Sequence, residues 1–131
     1  MKNIFEINNV TFCVDGNEKV KNVSFSIENE GDIICLLGPS GIGKTTILRT
    51  IAGLEKINEG EIFLKGKLIS SKNNHIDPEN RNISLAFQDN CLFPHYSVEK
   101  NIQIAINTNQ KNNRKISTEF IIKLLNLNSV L

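Results

Sequence analysis

Apolar and polar positions alternate through the first thirty residues. From Ile4 to Val10 the period is two, and it returns in "VKNVSFSIE", Val20 to Glu28, with Val20, Val23, Phe25 and Ile27 as the apolar points. That period puts one face of a strand against a core and the other toward water. "DGNEK" between the segments carries turn residues, so the two are expected to pair as antiparallel strands. The pattern then changes: "IICLL", Ile33 to Leu37, is apolar without a break. Such a run suits a strand buried on both faces, as in a parallel sheet.

Helical spacing follows. Lys44 to Ala52 places Ile47, Leu48 and Ile51 on one face, with Gly53 as a C-terminal stop. "GEIFLKGKLIS" reads as a hairpin turning at Lys65-Gly66. Ser70 to Asn82 is polar, with Pro78 and several Asn, and reads as a loop, while Ile83 to Phe87 reads as another strand. "SVEKNIQIAI" predicts a helix with Ser97 as N-cap and Glu99 in the first turn. Thr108 to Lys115 is a solvated linker, and "STEFIIKLLNL" predicts a second amphipathic helix capped by Ser117 or Thr118. No internal repeat is present. The order is antiparallel strands, a strand–loop–helix unit, further strands, then helices, which is an α/β pattern.

Composition narrows the classes. At 131 residues, 40% hydrophobic and 22% charged, the chain has the length and make-up of one ordinary soluble domain. A net charge of +1 gives no general electrostatic case for nucleic acid or an anionic membrane. The N-terminus alternates instead of forming an apolar signal segment, and no apolar run approaches the roughly 20 residues needed to span a bilayer. Membrane association is therefore expected only through a partner. Cys13, Cys35 and Cys91 are far apart and share no metal-ligand spacing, as expected of reduced cysteines. His95 has no other ligand type at metal spacing.

The candidate chemistry sits after the apolar run. "GPSGIGKT", Gly38 to Thr45, matches G-x-x-x-x-G-K-[ST] in full, with a strand expected before it and a helix after it. Glycines at 38, 41 and 43 let the backbone curl until successive N–H groups point inward and form an anion nest. The helix beginning near Lys44 adds its free N–H groups and positive dipole end to the same spot. Lys44 supplies a mobile cation for the β- and γ-phosphates, and the Thr45 hydroxyl is placed to ligate Mg²⁺. Nucleoside triphosphate binding is the strongest inference from these residues.

Such loops serve kinases, GTPases and many ATPases, so the loop alone names no reaction. The wider stretch "VKNVSFSIENEGDIICLLGPSGIGKTTILRTIAGLEKINEGEIFLKG" resembles the ATP-binding cassette subunits of ABC transporters, and "LAFQDNCLFPHYSVEKNI" resembles their Q-loop region. The resemblance runs from residue 2 to about 127. It implies the N-terminal part of a P-loop ABC ATPase: antiparallel strands over 1–30, a core from Walker A to the Q-loop over 31–95 with an incomplete parallel sheet, and the start of a helical subdomain over 96–131. It also implies that Phe12 stacks on adenine, that Gly38, Pro39, Ser40, Gly41, Ile42, Gly43, Lys44, Thr45 and Thr46 hold the phosphates, and that Gln88 reaches Mg²⁺ and the attacking water. Leu92, Phe93 and Pro94 would face a coupling helix of a membrane-spanning permease, or else Leu92 and Phe93 belong to the domain's own core. Further partners implied are a second ATP-binding subunit paired head to tail and, indirectly, a solute-binding protein, at the cytoplasmic face of the membrane. "GLEKINEGEI" and "RNISLAFQDNCLFPH" look most like importer cassettes for ferric iron, with sugar, polyamine and thiamine importers close behind; the cassette does not touch the cargo.

The resemblance also shows what these 131 residues lack. No "SGG" of the LSGGQ signature occurs, and no run of four apolar residues precedes an Asp-Glu pair as in Walker B and its catalytic glutamate. In the family's fold the strand before the phosphate loop is flanked by strands that come later in sequence. "IICLL" is then expected to lose its ladder partners and its apolar covering. The isolated chain is expected to be poorly stable and to hydrolyse no ATP above background. Two other classes stand beside this one: a soluble nucleotide kinase, which would lack the preceding antiparallel strand pair and the "FQ…LFPH" segment, and a nucleotide-binding remnant without catalysis.

Overall fold

The computed structural model describes residues 3–14, 17–87, 92–108 and 117–127. Its elements are β1 (Phe5–Val14), β2 (Asn17–Ile27), α1 (Lys44–Ala52), β3 (Glu59–Leu64), β4 (Lys67–Ser71), a 3₁₀ turn (Pro78–Asn80), α2 (Val98–Thr108) and α3 (Thr118–Leu124). The chain divides into two compact units, Met1–Ala86 and Phe87–Leu131. The β3–β4 hairpin joins the N-terminal strands. All four lie in one antiparallel sheet of order β2-β1-β3-β4.

The expected pairing of the two N-terminal segments is present, from Phe5 opposite Ile27 to Val14 opposite Asn17. The alternation is interrupted, however. The register slips between Ile7 and Val10, where Asn9 adopts a positive φ of 49° and its N–H donates to Ser24 Oγ at 2.9 Å. One extra residue at a bulge reverses the parity of everything beyond it. Phe5 and Ile7 point into the core, and after the slip Val10 and Phe12 do so too. Gly60 of β3 crosses at this place: a Cβ there would stand 2.5 Å from the Asn9 carbonyl oxygen. The hairpin turns where the sequence predicts it, with Lys65 (φ 50°) and Gly66 (φ 73°) both left-handed, the pair of signs that a tight two-residue turn requires.

Helix α1 has the predicted bounds and closes on a left-handed Gly53, whose N–H reaches back to the Thr50 carbonyl. Its buried residues include Thr46, Ile47, Thr50 and Ala52, whereas Leu48, expected on the core side, is exposed. A step of 100° from Ile47 carries Leu48 off the stripe that Ile47, Thr50 and Ile51 share. Ile47 joins Phe5, Ile7, Val10, Phe12, Ile57, Ile62 and Ile69 in one core. Each such fully buried aliphatic side chain stabilises by about 2 kcal/mol relative to exposure.

Two predicted strands are not formed. Residues 33–37 belong to no strand, and Ile33 and Leu37 are 89% and 92% exposed, with only Leu36 half-buried. Residues 83–87 likewise belong to none, and Phe87 is exposed. Their composition suits burial on both faces, but the described residues supply no ladder partners, and of the two segments Leu36 and Ile83 pack against the core.

In the second unit the caps decide the helix starts. Ser97 Oγ accepts from the Lys100 N–H at 3.2 Å, and Ser117 Oγ accepts from the Phe120 N–H at 3.1 Å, so Ser117 is the cap of α3.

Candidate functional site

The loop ahead of α1 has the geometry of an anion grip. Gly41 and Gly43 take φ of 79° and 110°, values that cost a side-chain-bearing residue strain, and they curl the chain into the first turn of α1. Gly43 gives the helix no side-chain cap. Among the described residues, only one loop N–H from Ser40 to Gly43 makes a backbone bond, that of Ile42 to the Pro39 carbonyl at 3.4 Å. The N–H groups of Gly41, Gly43, Lys44 and Thr45 are left at the positive end of the helix dipole. Ser40, Gly41 and Thr45 are exposed, so a ligand can reach them.

Lys44 folds back over this loop. Its Nζ donates to the carbonyls of Gly38 and Pro39, each at 2.7 Å. An ammonium has three N–H donors, so one remains for a phosphate oxygen while the other two keep the loop closed on itself. Thr46 is buried on the core side of α1, so what it offers a phosphate is its backbone N–H. The chemistry of this donor set fits a phosphate group. For Mg²⁺ the set is thin: Thr45 brings one hydroxyl, and no cluster of metal-ligating side chains exists among the described residues. Gln88, the other residue expected at the metal, lies outside the described residues, as does Cys91.

Phe12 is a correction. It is 1% exposed and packed in the sheet core, so neither ring face is open to a base. The bulge at Asn8–Asn9 is the reason, since strict alternation would have left position 12 on the opposite face from Phe5 and Ile7. Adenine stacking on Phe12 is withdrawn.

Sequence reasoning missed Arg81, which lies at the end of a stretch read as plain loop. The side chain is fully buried, and its guanidinium makes five hydrogen bonds for its five N–H groups. Nε donates to the Ile76 carbonyl (2.5 Å), Nη1 to the carbonyls of Thr50 (3.1 Å) and Ile51 (3.0 Å), and Nη2 to Ser70 Oγ (2.8 Å) and His75 Nδ1 (3.2 Å). Burial lowers its pKa, and Asp77 opposes the shift. His75 is also held below its ordinary value, first by desolvation and then by the Arg81 charge, with a hydrogen bond to the Gly53 backbone opposing. Nδ1 accepting from Arg81 puts the imidazole in its neutral form. A lone Arg in a polar stretch carries no periodicity, so no local pattern announces this node.

In the second unit Leu92, Phe93 and Pro94 are exposed. Phe93, His95 and Tyr96 form a ring cluster, with His95 and Tyr96 centroids 4.2 Å apart. The Asn101 side chain fixes the turn beneath: Oδ1 accepts from Phe93 N–H at 2.8 Å, and Nδ2 donates to the carbonyls of Phe93, Tyr96 and Ser97.

A glycine-curled loop, a folded-back lysine and a helix N-terminus with free donors define a phosphate-binding P-loop protein. Comparison with known proteins takes this further. The family model described as ABC transporter matches residues 20–130. The Fe(3+) ions import ATP-binding protein FbpC of Escherichia coli (strain K12) is 44% identical over 101 residues, 77% of this chain and 28% of that protein. The spermidine/putrescine import ATP-binding protein PotA of Legionella pneumophila subsp. pneumophila (strain Philadelphia 1) is 36% identical over 129 residues, 97% of this chain and 34% of that protein. A crystal structure of a nucleotide-free ATP-binding cassette from an ABC transporter superposes with a TM-score of 0.60 at 20% identity, covering 98% of this chain and 56% of that one, and supports the fold alone. The chain belongs to the ABC transporter family. It spans about a third of the length of the curated relatives it matches, 28% and 34% in these two. The nucleotide-kinase alternative is not favoured.

Proposed function

We propose that this chain carries the nucleotide-gripping N-terminal part of the ATP-binding subunit of an ABC importer. The observation that carries the reading is the loop from Gly38 to Thr45, with its free N–H groups at the head of α1 and Lys44 Nζ bound across it. ATP would lay its phosphates in that loop, with Gly38 to Gly43 forming the wall and Lys44 and Thr45 the polar contacts. Mg²⁺ would take the Thr45 hydroxyl and, by family resemblance, Gln88. When bound, the metal supplies charge neutralisation for the β- and γ-oxygens.

The exposed Leu92, Phe93 and Pro94, with Tyr96 beside them, supply the apolar surface that docking to a membrane-spanning permease requires. Among the described residues no helix is long and apolar enough to cross a membrane, so attachment at the cytoplasmic face through such a partner is consistent with the chain's own make-up. The relatives' names speak of ferric ion, spermidine/putrescine and sn-glycerol-3-phosphate import, which supports an importer and selects no cargo. Pairing head to tail with a second ATP-binding subunit follows from the family reading alone. The test is equilibrium ATP binding to the 131-residue chain with and without Lys44→Ala: the substitution is expected to abolish binding, and equal affinity would sink the reading.

A further inference from the structure

We infer that Arg81 is a positioning residue of the phosphate loop: it fixes α1 from its C-terminal end and thereby sets where the N–H groups at the other end stand. The inference rests on the nucleotide-binding reading. Helix α1 has nine residues and is therefore only about 13 Å long, short enough to move as one rod. Its N-terminal end is anchored by packing, through the buried Thr46 and Ile47 of its first turn, and not by directional bonds to the sheet. Residues 33–37, which lead into the loop, make no backbone bond among the described residues and are mostly exposed. Gly43 adds no side-chain cap, and the bonds inside the loop tie it only to itself.

The C-terminal end is held tightly. Arg81 Nη1 donates to two carbonyls of the last turn, that of Ile51 and that of Thr50, which also accepts from the Gly53 N–H. A buried cation there also complements the negative end of the dipole. The other three bonds tie the same guanidinium to Ser70 at the end of β4 and to His75 and Ile76 in the following turn, so the helix end is fastened to the sheet. Gly53 is part of the device, because a Cβ at its left-handed backbone would run into the Arg81 guanidinium. Helix α1 touches the core through Ile47, but an apolar stripe tolerates sliding, whereas five directional bonds do not.

The test titrates ATP with Mg²⁺ into the ¹⁵N-labelled 131-residue chain and reads both affinity and amide positions. Arg81→Met removes every donor while keeping length, and Arg81→Lys keeps the charge with fewer donors. With Arg81→Met the β1–β4 amide signals are expected to stay in place while those of Gly41, Gly43, Lys44 and Thr45 move. ATP affinity is expected to fall about tenfold, the equivalent of one hydrogen bond to a charged group, and Arg81→Lys to recover part of it. Wild-type affinity and unmoved loop amides in a folded Arg81→Met protein would make Arg81 a stability residue only and overturn the inference. If Arg81→Met does not fold, Arg81→Lys decides by the same two readouts. A wild-type chain that binds no ATP, or binds it as well with Lys44→Ala, overturns the underlying reading and this inference with it.

Discussion

Two aliphatic residues that the hydrophobic pattern treats alike should behave oppositely when truncated. Ile62 in β3 is 0% exposed, within the cluster of Phe5, Ile7 and Ile69, while Leu37 at the mouth of the phosphate loop is 92% exposed. Ile62→Ala removes buried carbons and leaves a cavity walled by a sheet that cannot collapse, which costs about 2–5 kcal/mol. Leu37→Ala withdraws no buried area and opens no cavity, so its cost is expected within about 0.5 kcal/mol. Were Leu37 the centre of a strand buried on both faces, its truncation would cost as much as that of Ile62. Urea denaturation followed by far-UV circular dichroism separates these cases. With a slope of about 1–3 kcal/mol per M, Ile62→Ala should lower the midpoint by about 1 M or more and Leu37→Ala by almost nothing, at unchanged slope. A Leu37→Ala midpoint displaced as far as that of Ile62→Ala would show residues 33–37 packed in solution and refute the reasoning.

Acid should weaken the first unit through His75. Its folded pKa lies below the ordinary 6.5, so as pH falls below 6.5 the unfolded chain takes up a proton that the folded chain refuses, and stability drops until the lower folded value is passed. Thermal midpoints between pH 7.5 and 5 should show that fall, and His75→Asn, which keeps an acceptor for Arg81, should flatten it; an unchanged slope in the variant would contradict the assignment. Gly60→Ala should cost more than about 1 kcal/mol, because φ is 84° and the new Cβ would meet the Asn8 and Asn9 carbonyl oxygens at 2.6 and 2.5 Å. A wild-type urea midpoint for that variant would mean the Asn8–Asn9 bulge yields to the methyl group.

What could be read from the sequence was whatever a few neighbouring residues decide. Gly53 ends α1, Lys65-Gly66 turns the hairpin, and Ser97 and Ser117 start their helices, each through backbone groups within a few residues. The phosphate loop belongs to the same class, since the curl and the lysine latch form between Gly38 and Lys44. What stayed hidden depends on residues far apart in the chain. The bulge at Asn9 is secured by Ser24 fifteen residues on and by Gly60 across the sheet, and it moved Phe12 from the expected ligand side into the core. Arg81 joins α1, β4 and the turn at His75, which no local pattern announces. For residues 33–37 the pattern reports a preference for burial, but burial also needs neighbours, and among the described residues only Leu36 of this run packs against the core. Cys35 within that run is exposed for the same reason.

The proposal that this chain grips a nucleotide through the loop from Gly38 to Thr45 is met most directly by measuring equilibrium ATP binding on wild type beside Lys44→Ala. Binding that disappears with the lysine is the expected result. Equal ATP affinity of the two proteins would contradict it.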